Sequence, residues 1–93
     1  MCTYQTEKIE IEGSGKSASK GWFSLSHATV YVDHPVHAPY AHTVNIDFLN
    51  PEEGPSARVP VELTEEAALA LADAIHRALA AAPPGLASAN AGK

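Results

Sequence analysis

Histidine is the residue type in this sequence with the clearest capacity for chemistry. The chain has five histidines, and four of them, His27, His34, His37 and His42, lie within 16 residues. Imidazole binds transition metals, transfers protons near neutral pH and hydrogen-bonds to ligands. The segment from His27 to His42 is therefore the first candidate for a functional site.

A metal centre is the most specific interpretation of this cluster. Strand alternation places His34 on the same face as Val32, and His42 on the same face as Val44. If the two strands pair, opposed Cβ atoms lie about 4.5–5.5 Å apart, which lets two imidazoles share one ion. His37, in the connecting loop, would supply a third nitrogen. Three imidazoles leave a coordination position open, as in catalytic sites, and suit zinc, with iron, copper or nickel as alternatives.

Two further residues are candidate catalytic groups. Tyr40 lies in the same loop, where its hydroxyl could donate a proton. Cys2 follows the initiator methionine, and removal of Met1 would expose a thiol and an α-amine on one residue. Cys2 also has an ordinary interpretation as a reduced cytosolic cysteine.

The histidines have two other interpretations. The same side chains could contact a small acidic or aromatic molecule in a pocket that holds no metal. They could also hydrogen-bond the backbone of a turn and have a purely structural role.

Four strands and one helix must position these residues. Alternating or β-branched segments predict strands over residues 5–12, 22–33, 42–49 and 57–63. Pro35 and Pro39 mark the segment between the second and third strands as a connection. Pro60 indicates that the fourth strand lies at a sheet edge. The parity that groups His34 with His42 places Tyr31 and His27 on the other face.

A helix follows the fourth strand. Thr64 is a candidate N-cap, and Pro83 and Pro84 end the helix. The fold class predicted is α+β: a four-stranded antiparallel sheet in the order β-β-β-β-α, with the C-terminal helix packed on one face. We expect a single domain over residues 1–82 and a flexible tail over 83–93. The helix has an apolar stripe that would face the core, formed by Ala68, Leu71, Ala72, Ile75 and Leu79, with Leu69 beside it.

The segment GSGKS at residues 13–17 resembles part of a phosphate-binding loop. The first glycine of that motif is missing, because Glu10 occupies its position, and a strand follows instead of a helix. The segment is therefore predicted to be a flexible hairpin loop over residues 13–21.

The second strand predicts an oligomer. Phe23 and Leu25 alternate with the residues that face the helix, so they give the sheet a second apolar face. One helix covers one face only, and a second subunit is the simplest cover for the other. The alternative is that these two side chains line a shallow groove open to solvent.

Composition excludes several classes of protein. The chain has 93 residues and a formal net charge of -5, which disfavours binding to nucleic acids and to anionic membranes. One cysteine forms no intrachain disulfide. No apolar run approaches a membrane span and no signal region opens the chain, so the expected location is the cytoplasm.

Two segments carry a resemblance. The opening MCTYQTEKIEIEGSGK and the stretch HATVYVDHPVHAPYAHTVNIDFLNPEEG, with the helix after VELT, resemble a family of small proteins of unknown function from high-GC soil bacteria. The resemblance covers residues 1–82. It implies a bacterial, single-domain, intracellular protein, and it transfers no activity, cofactor or site residue.

The sequence thus predicts a small oligomeric metal-binding enzyme that acts on a small molecule. His34, His37 and His42 would hold the metal, with Tyr40 and Cys2 as catalytic participants. The alternative is a non-catalytic oligomeric protein that binds a small molecule in the same pocket without metal.

Overall fold

The computed structural model describes residues 5–86. This range contains four strands and one α-helix, with a short 3-10 helix, Pro51–Glu53, before the fourth strand. The elements are β1 Glu7–Ser17, β2 Gly21–Asp33, β3 Thr43–Leu49, β4 Arg58–Leu63 and α1 Glu65–Ala81.

The four strands form one antiparallel sheet in the order β1-β2-β3-β4. The architecture is therefore α+β, and the predicted order of elements is confirmed. Pro60 lies in β4, which is an edge strand, as its missing backbone donor predicts. The last pair between β2 and β3 is Asp33 with Thr43, so the loop over residues 34–42 joins the ends of these two central strands.

The first hairpin differs from the prediction. Residues 13–17 belong to β1, and the connection to β2 is a tight turn over residues 18–20. The backbone N–H of Lys20 donates to Ser17 Oγ at 3.0 Å, and Gly21 has a φ of +84°, which favours glycine. Because Gly15 has no side chain, the Leu25 methyl groups approach its backbone closely; a Cβ there would lie 3.2 Å from Leu25 Cδ2. The glycine-rich segment predicted to be a flexible loop is therefore part of a strand, and Gly15 allows the Leu25 side chain to pack against that strand.

Alternation divides the sheet into two faces. The apolar face is formed by alternate residues of β2, β3 and β4, which stand opposite one another in rows such as Val30, Ile46 and Val61. Its members are Ala28, Val30, Val32, Val44, Ile46, Phe48, Val59, Val61 and Leu63. The polar face carries the intervening residues: Thr29, Tyr31, Asp33, Thr43, Asn45, Asp47, Arg58, Pro60 and Glu62.

The polar face is the better covered of the two. Thr43, Asn45 and Asp47 are buried, whereas on the apolar face only Ala28 is. Thr43 Oγ1 donates to Asn45 Oδ1 at 2.6 Å, and within residues 5–86 every buried side-chain nitrogen and oxygen has a hydrogen-bond partner. Full pairing offsets the cost of removing these groups from water.

The helix does not cover the sheet as expected. Thr64 caps it, since Thr64 Oγ1 accepts from the Ala67 N–H at 3.1 Å, but no residue of α1 is buried. Leu69 and Leu79 are 62% and 66% exposed. The connection from β4 is Thr64 alone, whereas strand-to-helix loops usually have about 2–6 residues. With this short connection, the main contacts of α1 are with β3 and β4.

Phe23 and Leu25 do not form a second exposed apolar face. Phe23 is buried, and Leu25 lines a shallow cavity with Phe48 and Val59 of the apolar face. The register between β1 and β2 shifts between Glu10 and Gly13, which breaks the simple alternation assumed from sequence.

The helix ends at Ala81 with Ala82 as its C-cap, directly before the predicted tail over residues 83–93. Its residues 87–93 lie outside the described range, so the prediction of flexibility stays a prediction. Among residues 5–86, no helix is long and apolar enough to cross a membrane.

Candidate functional site

A single carboxylate fixes the loop between β2 and β3. Glu62, on the polar face of β4, accepts hydrogen bonds from the backbone N–H groups of Val36, His37 and Ala38. The distances are 2.5 Å from Val36 N to Oε2 and 2.8 Å from Ala38 N to Oε1. The bonds from Ala38, then Val36, hold the pKa of Glu62 below its usual range, because N–H donors favour the charged carboxylate. We call this arrangement the Glu62 clasp.

The Glu62 clasp encloses a cavity on the polar face. Its volume is ≈ 380 Å³, within the range of about 300–1,000 Å³ typical of small-molecule sites. The strands form its floor and residues 34–37 form one wall. The lining residues are Tyr31, Asp33, His34, Val36, His37, Asn45, Asp47, Arg58, Pro60, Val61 and Glu62.

Asp47 organises the cavity floor. Arg58 Nη2 lies 2.8 Å from Asp47 Oδ1, and the Tyr31 hydroxyl donates to Asp47 Oδ2 at 3.5 Å. Burial raises the pKa of Tyr31, and the negative charge of Asp47 raises it further. The phenol is therefore held neutral, as a hydrogen-bond donor, beside a paired carboxylate.

The structure brings the His34 and His42 rings close together, but not on the single apolar face that strand parity predicts. Their ring centroids are 4.6 Å apart with planes inclined by 31°, and His34 Nδ1 lies 2.9 Å from the carbonyl oxygen of Ala41. His34 lines the cavity enclosed by the Glu62 clasp. His42 lines a separate depression beside Val32 and Val44. The two rings thus stack at the boundary between the two faces.

His37 lies on the cavity side with His34, and its backbone N–H belongs to the Glu62 clasp. Across residues 5–86, no group of three or more His, Cys, Asp or Glu side chains is arranged to hold a metal ion. A three-histidine centre would require the loop over residues 34–42 to change conformation.

The remaining candidates occupy other places. Tyr40 is 54% exposed and does not line the cavity. His27 Nδ1 lies 2.8 Å from Ser26 Oγ, at the irregular pairing of β1 with β2, away from the other histidines. Cys2 lies outside the described residues.

Sequence reasoning did not select four polar residues of the cavity: Asn45, Asp47, Arg58 and Glu62. All four occupy polar positions that alternate with apolar residues in β3 and β4, so their common face was readable from sequence. Their convergence on the loop was not, because it depends on the register of two strand pairs and on the path of residues 34–42.

Fold and cavity together define a small α+β protein with a ligand-sized cavity on the polar face of an antiparallel sheet. The chain belongs to a family of unknown function, DUF6295, whose family model matches residues 1–88. This agrees with the resemblance to an unknown-function family noted from the sequence. No curated protein and no solved structure matches the chain.

Proposed function

We propose that this protein binds a small organic molecule in the cavity enclosed by the Glu62 clasp, without a bound metal. The Glu62 clasp is the observation that carries the proposal: one carboxylate accepts three backbone N–H groups and holds a loop above a polar floor. Holding a loop in place before a ligand arrives lowers the entropy cost of binding.

The cavity's chemistry favours a neutral or cationic aromatic molecule. Three carboxylates line it, from Asp33, Asp47 and Glu62, against one guanidinium, from Arg58. This balance of carboxylates over guanidinium is negative, so an acidic ligand would meet repulsion. Val36, Pro60 and Val61 supply apolar groups to the cavity lining, and these suit the ring of such a molecule.

Thermal-shift measurements in EDTA test this proposal. Aromatic amines such as tyramine are expected to raise the unfolding temperature, and aromatic acids such as benzoate are expected to raise it less or not at all. His37→Ala should weaken the shift. His76→Ala, on the exposed helix, is the matched control and should leave it unchanged. The absence of any shift across both ligand classes, or equal losses in the two variants, would count against the proposal.

A transition-metal site is the second candidate. The observation in its favour is the 4.6 Å separation of the His34 and His42 rings. With His37 brought in by a movement of the loop, three imidazoles would hold zinc, iron, copper or nickel, and the metal would lower the pKa of a bound water or polarise a carbonyl. Tyr40 and Cys2 remain the proposed catalytic participants of that enzyme.

Elemental analysis of tag-free protein separates the two candidates. The metalloenzyme proposal expects close to one metal per chain, lost in His34→Ala and His42→Ala but retained in His76→Ala. Less than about 0.2 metal per chain, unchanged in these variants, would remove it. EDTA should destabilise a metalloprotein and leave the metal-free binding protein unaffected.

A further inference from the structure

Two apolar surfaces remain largely uncovered by the other residues of the 5–86 range. One is the apolar face of the sheet, where Val32 is 39% exposed and only Ala28 is buried. The other is the apolar stripe of α1, where Leu71 and Ile75 are 44% and 52% exposed. Only Phe23, Ala28 and Ala57 are buried hydrophobic residues within 5–86. So small a core does not offset the conformational entropy of a folded domain.

We propose that the cover is a second copy of this chain, with the apolar stripe of each α1 lying across the apolar face of its partner. This two-fold arrangement uses the same pair of surfaces twice and leaves neither of them exposed. It buries both faces with no further partner.

The dimensions of the two surfaces match. α1 has 17 residues, so it is about 25 Å long. β3, at the centre of the apolar face, has seven residues and is about 24 Å long. One helix of this length, laid along the strands, covers the rows from β2 to β4.

The one-residue connection at Thr64 favours the partner's sheet over the chain's own. With β4 and α1 joined by one residue, α1 contacts β3 and β4 but buries none of its residues against its own sheet. A helix whose apolar stripe stays exposed is available to the sheet of a neighbouring molecule.

The exposed area is large enough for a stable dimer. The chain exposes 7043 Å², whereas a folded monomer of its mass exposes about 5,200 Å². The eleven residues outside 5–86 contribute to this difference. Subtracting about 150 Å² for each of them, the surface per residue of an extended chain, leaves about 5,400 Å² for residues 5–86. A folded monomer of that shorter length exposes about 4,700 Å², so an excess of about 700 Å² remains, close to the roughly 800 Å² that a standard interface takes from each partner.

The first test is the mass and concentration dependence of the unaltered protein. Sedimentation equilibrium should give twice the chain mass of 9.8 kDa, and the unfolding temperature should rise with protein concentration. A 9.8 kDa species at 100 µM (about 1 mg/ml), with an unfolding temperature independent of concentration, would overturn the proposal.

Paired variants test the surface. Ile75→Glu places a charge in the apolar stripe, whereas Ala70→Glu places the same charge on the opposite side of α1. Because the dimer contains each surface twice, Ile75→Glu should raise the dissociation constant by roughly 100-fold or more, and Ala70→Glu by less than about threefold. Equal effects of the two variants would contradict the assignment.

Isotope-filtered NMR on a mixture of labelled and unlabelled protein identifies the contact even if Ile75→Glu does not fold. Intermolecular NOEs should join the methyl groups of Ile75 and Leu79 to those of Ile46 and Val61. Intermolecular NOEs confined to helix with helix would overturn the proposed arrangement. Because the cavity lies on the polar face, failure of this inference leaves the ligand-binding proposal standing, and the reverse also holds.

Discussion

At the scale of single residues, carboxylates determine the conformation of the candidate site. Glu62 holds the loop, and Asp47 orders Arg58 and Tyr31. Each carboxylate accepts hydrogen bonds from N–H or O–H donors, and such donors stabilise its charged form. The histidines, which attracted attention in the sequence, lie around this frame and do not build it.

The first prediction concerns acid. The pKa of Glu62 is lowered in the folded protein, so its stabilisation is present above its ordinary pKa of 4.5 and is lost as the pH falls through the folded value. NMR should show the amides of Val36, His37 and Ala38 shifting together in that acidic range. Glu62→Gln should abolish this shared transition, and Glu66→Gln, on the exposed helix, should preserve it. A transition that persists in Glu62→Gln would show that another group controls the loop.

The second prediction concerns alkali. The pKa of Tyr31 is raised, first by burial and then by Asp47, so the stability linked to its neutral form is present below its ordinary value of 10.0 and is lost as the pH rises through the folded value. Absorbance at 295 nm should show a late tyrosinate phase that is missing in Tyr31→Phe. If Tyr31→Phe retains that phase, the phenol is not held by Asp47 as the structure indicates.

At the scale of elements, short connections fix the geometry. The β1–β2 turn depends on Gly21 with its φ of +84°, and the junction of β4 and α1 depends on Thr64. Both connections are short, so each depends on the backbone or side chain of one residue. A single substitution at that residue therefore tests the contribution of each connection to stability.

Gly21→Ala is expected to destabilise the protein by about 1–2 kcal/mol, because a Cβ disfavours positive φ. Nothing lies within 4 Å of the position that a Cβ would take, so the effect should come from the backbone and not from a clash. Urea unfolding measures it. Ser19→Ala, in the same turn, is the control and should change stability by less than about 0.5 kcal/mol. Equal costs in the two variants would contradict the backbone explanation.

Thr64→Ala removes the side-chain acceptor of the Ala67 N–H and should cost about 1 kcal/mol. Thr64→Ser retains a hydroxyl at the same position and should recover most of that loss. Urea unfolding monitored by circular dichroism at 222 nm gives both values. A serine variant as unstable as the alanine variant would mean that the cap contributes little.

At the scale of the whole molecule, the two faces of the sheet have separate tasks. Within residues 5–86, the polar face carries the cavity beside the loop over residues 34–42, whereas the apolar face and α1 are largely exposed. In the proposed dimer, folding and association are one process. Each chain would complete its core only when its partner's helix arrives.

Refolding kinetics follow from this coupling. The phase that completes the fold should be second order, so a tenfold dilution should slow its initial rate per chain by about tenfold. Stopped-flow circular dichroism at several protein concentrations measures it. Glu62→Gln alters the other face of the sheet and should retain the same concentration dependence. A concentration-independent rate would indicate that the monomer completes its fold alone.

The sequence by itself determined the elements and their order. Alternation located the four strands, Pro60 marked β4 as an edge, and Thr64 marked the start of the helix. Strand pairing also predicted that His34 and His42 lie close together, but not that they line different faces of the sheet. These features are local, or depend on one strand pair, and local periodicity reports them directly. The same reasoning treated the glycines at 13–15 as a loop, because it could not see that Leu25 needs the space beside Gly15.

Only the tertiary structure decided which groups meet. Glu62 reaches the loop 24–26 residues away because two strand registers and a proline-rich connection place it there, and no short-range pattern contains that information. The position of α1 likewise follows from the geometry at Thr64, which turned a helix predicted to cover its own sheet into an exposed one. Periodicity specifies which face of an element is apolar, but what that face packs against depends on three-dimensional connections.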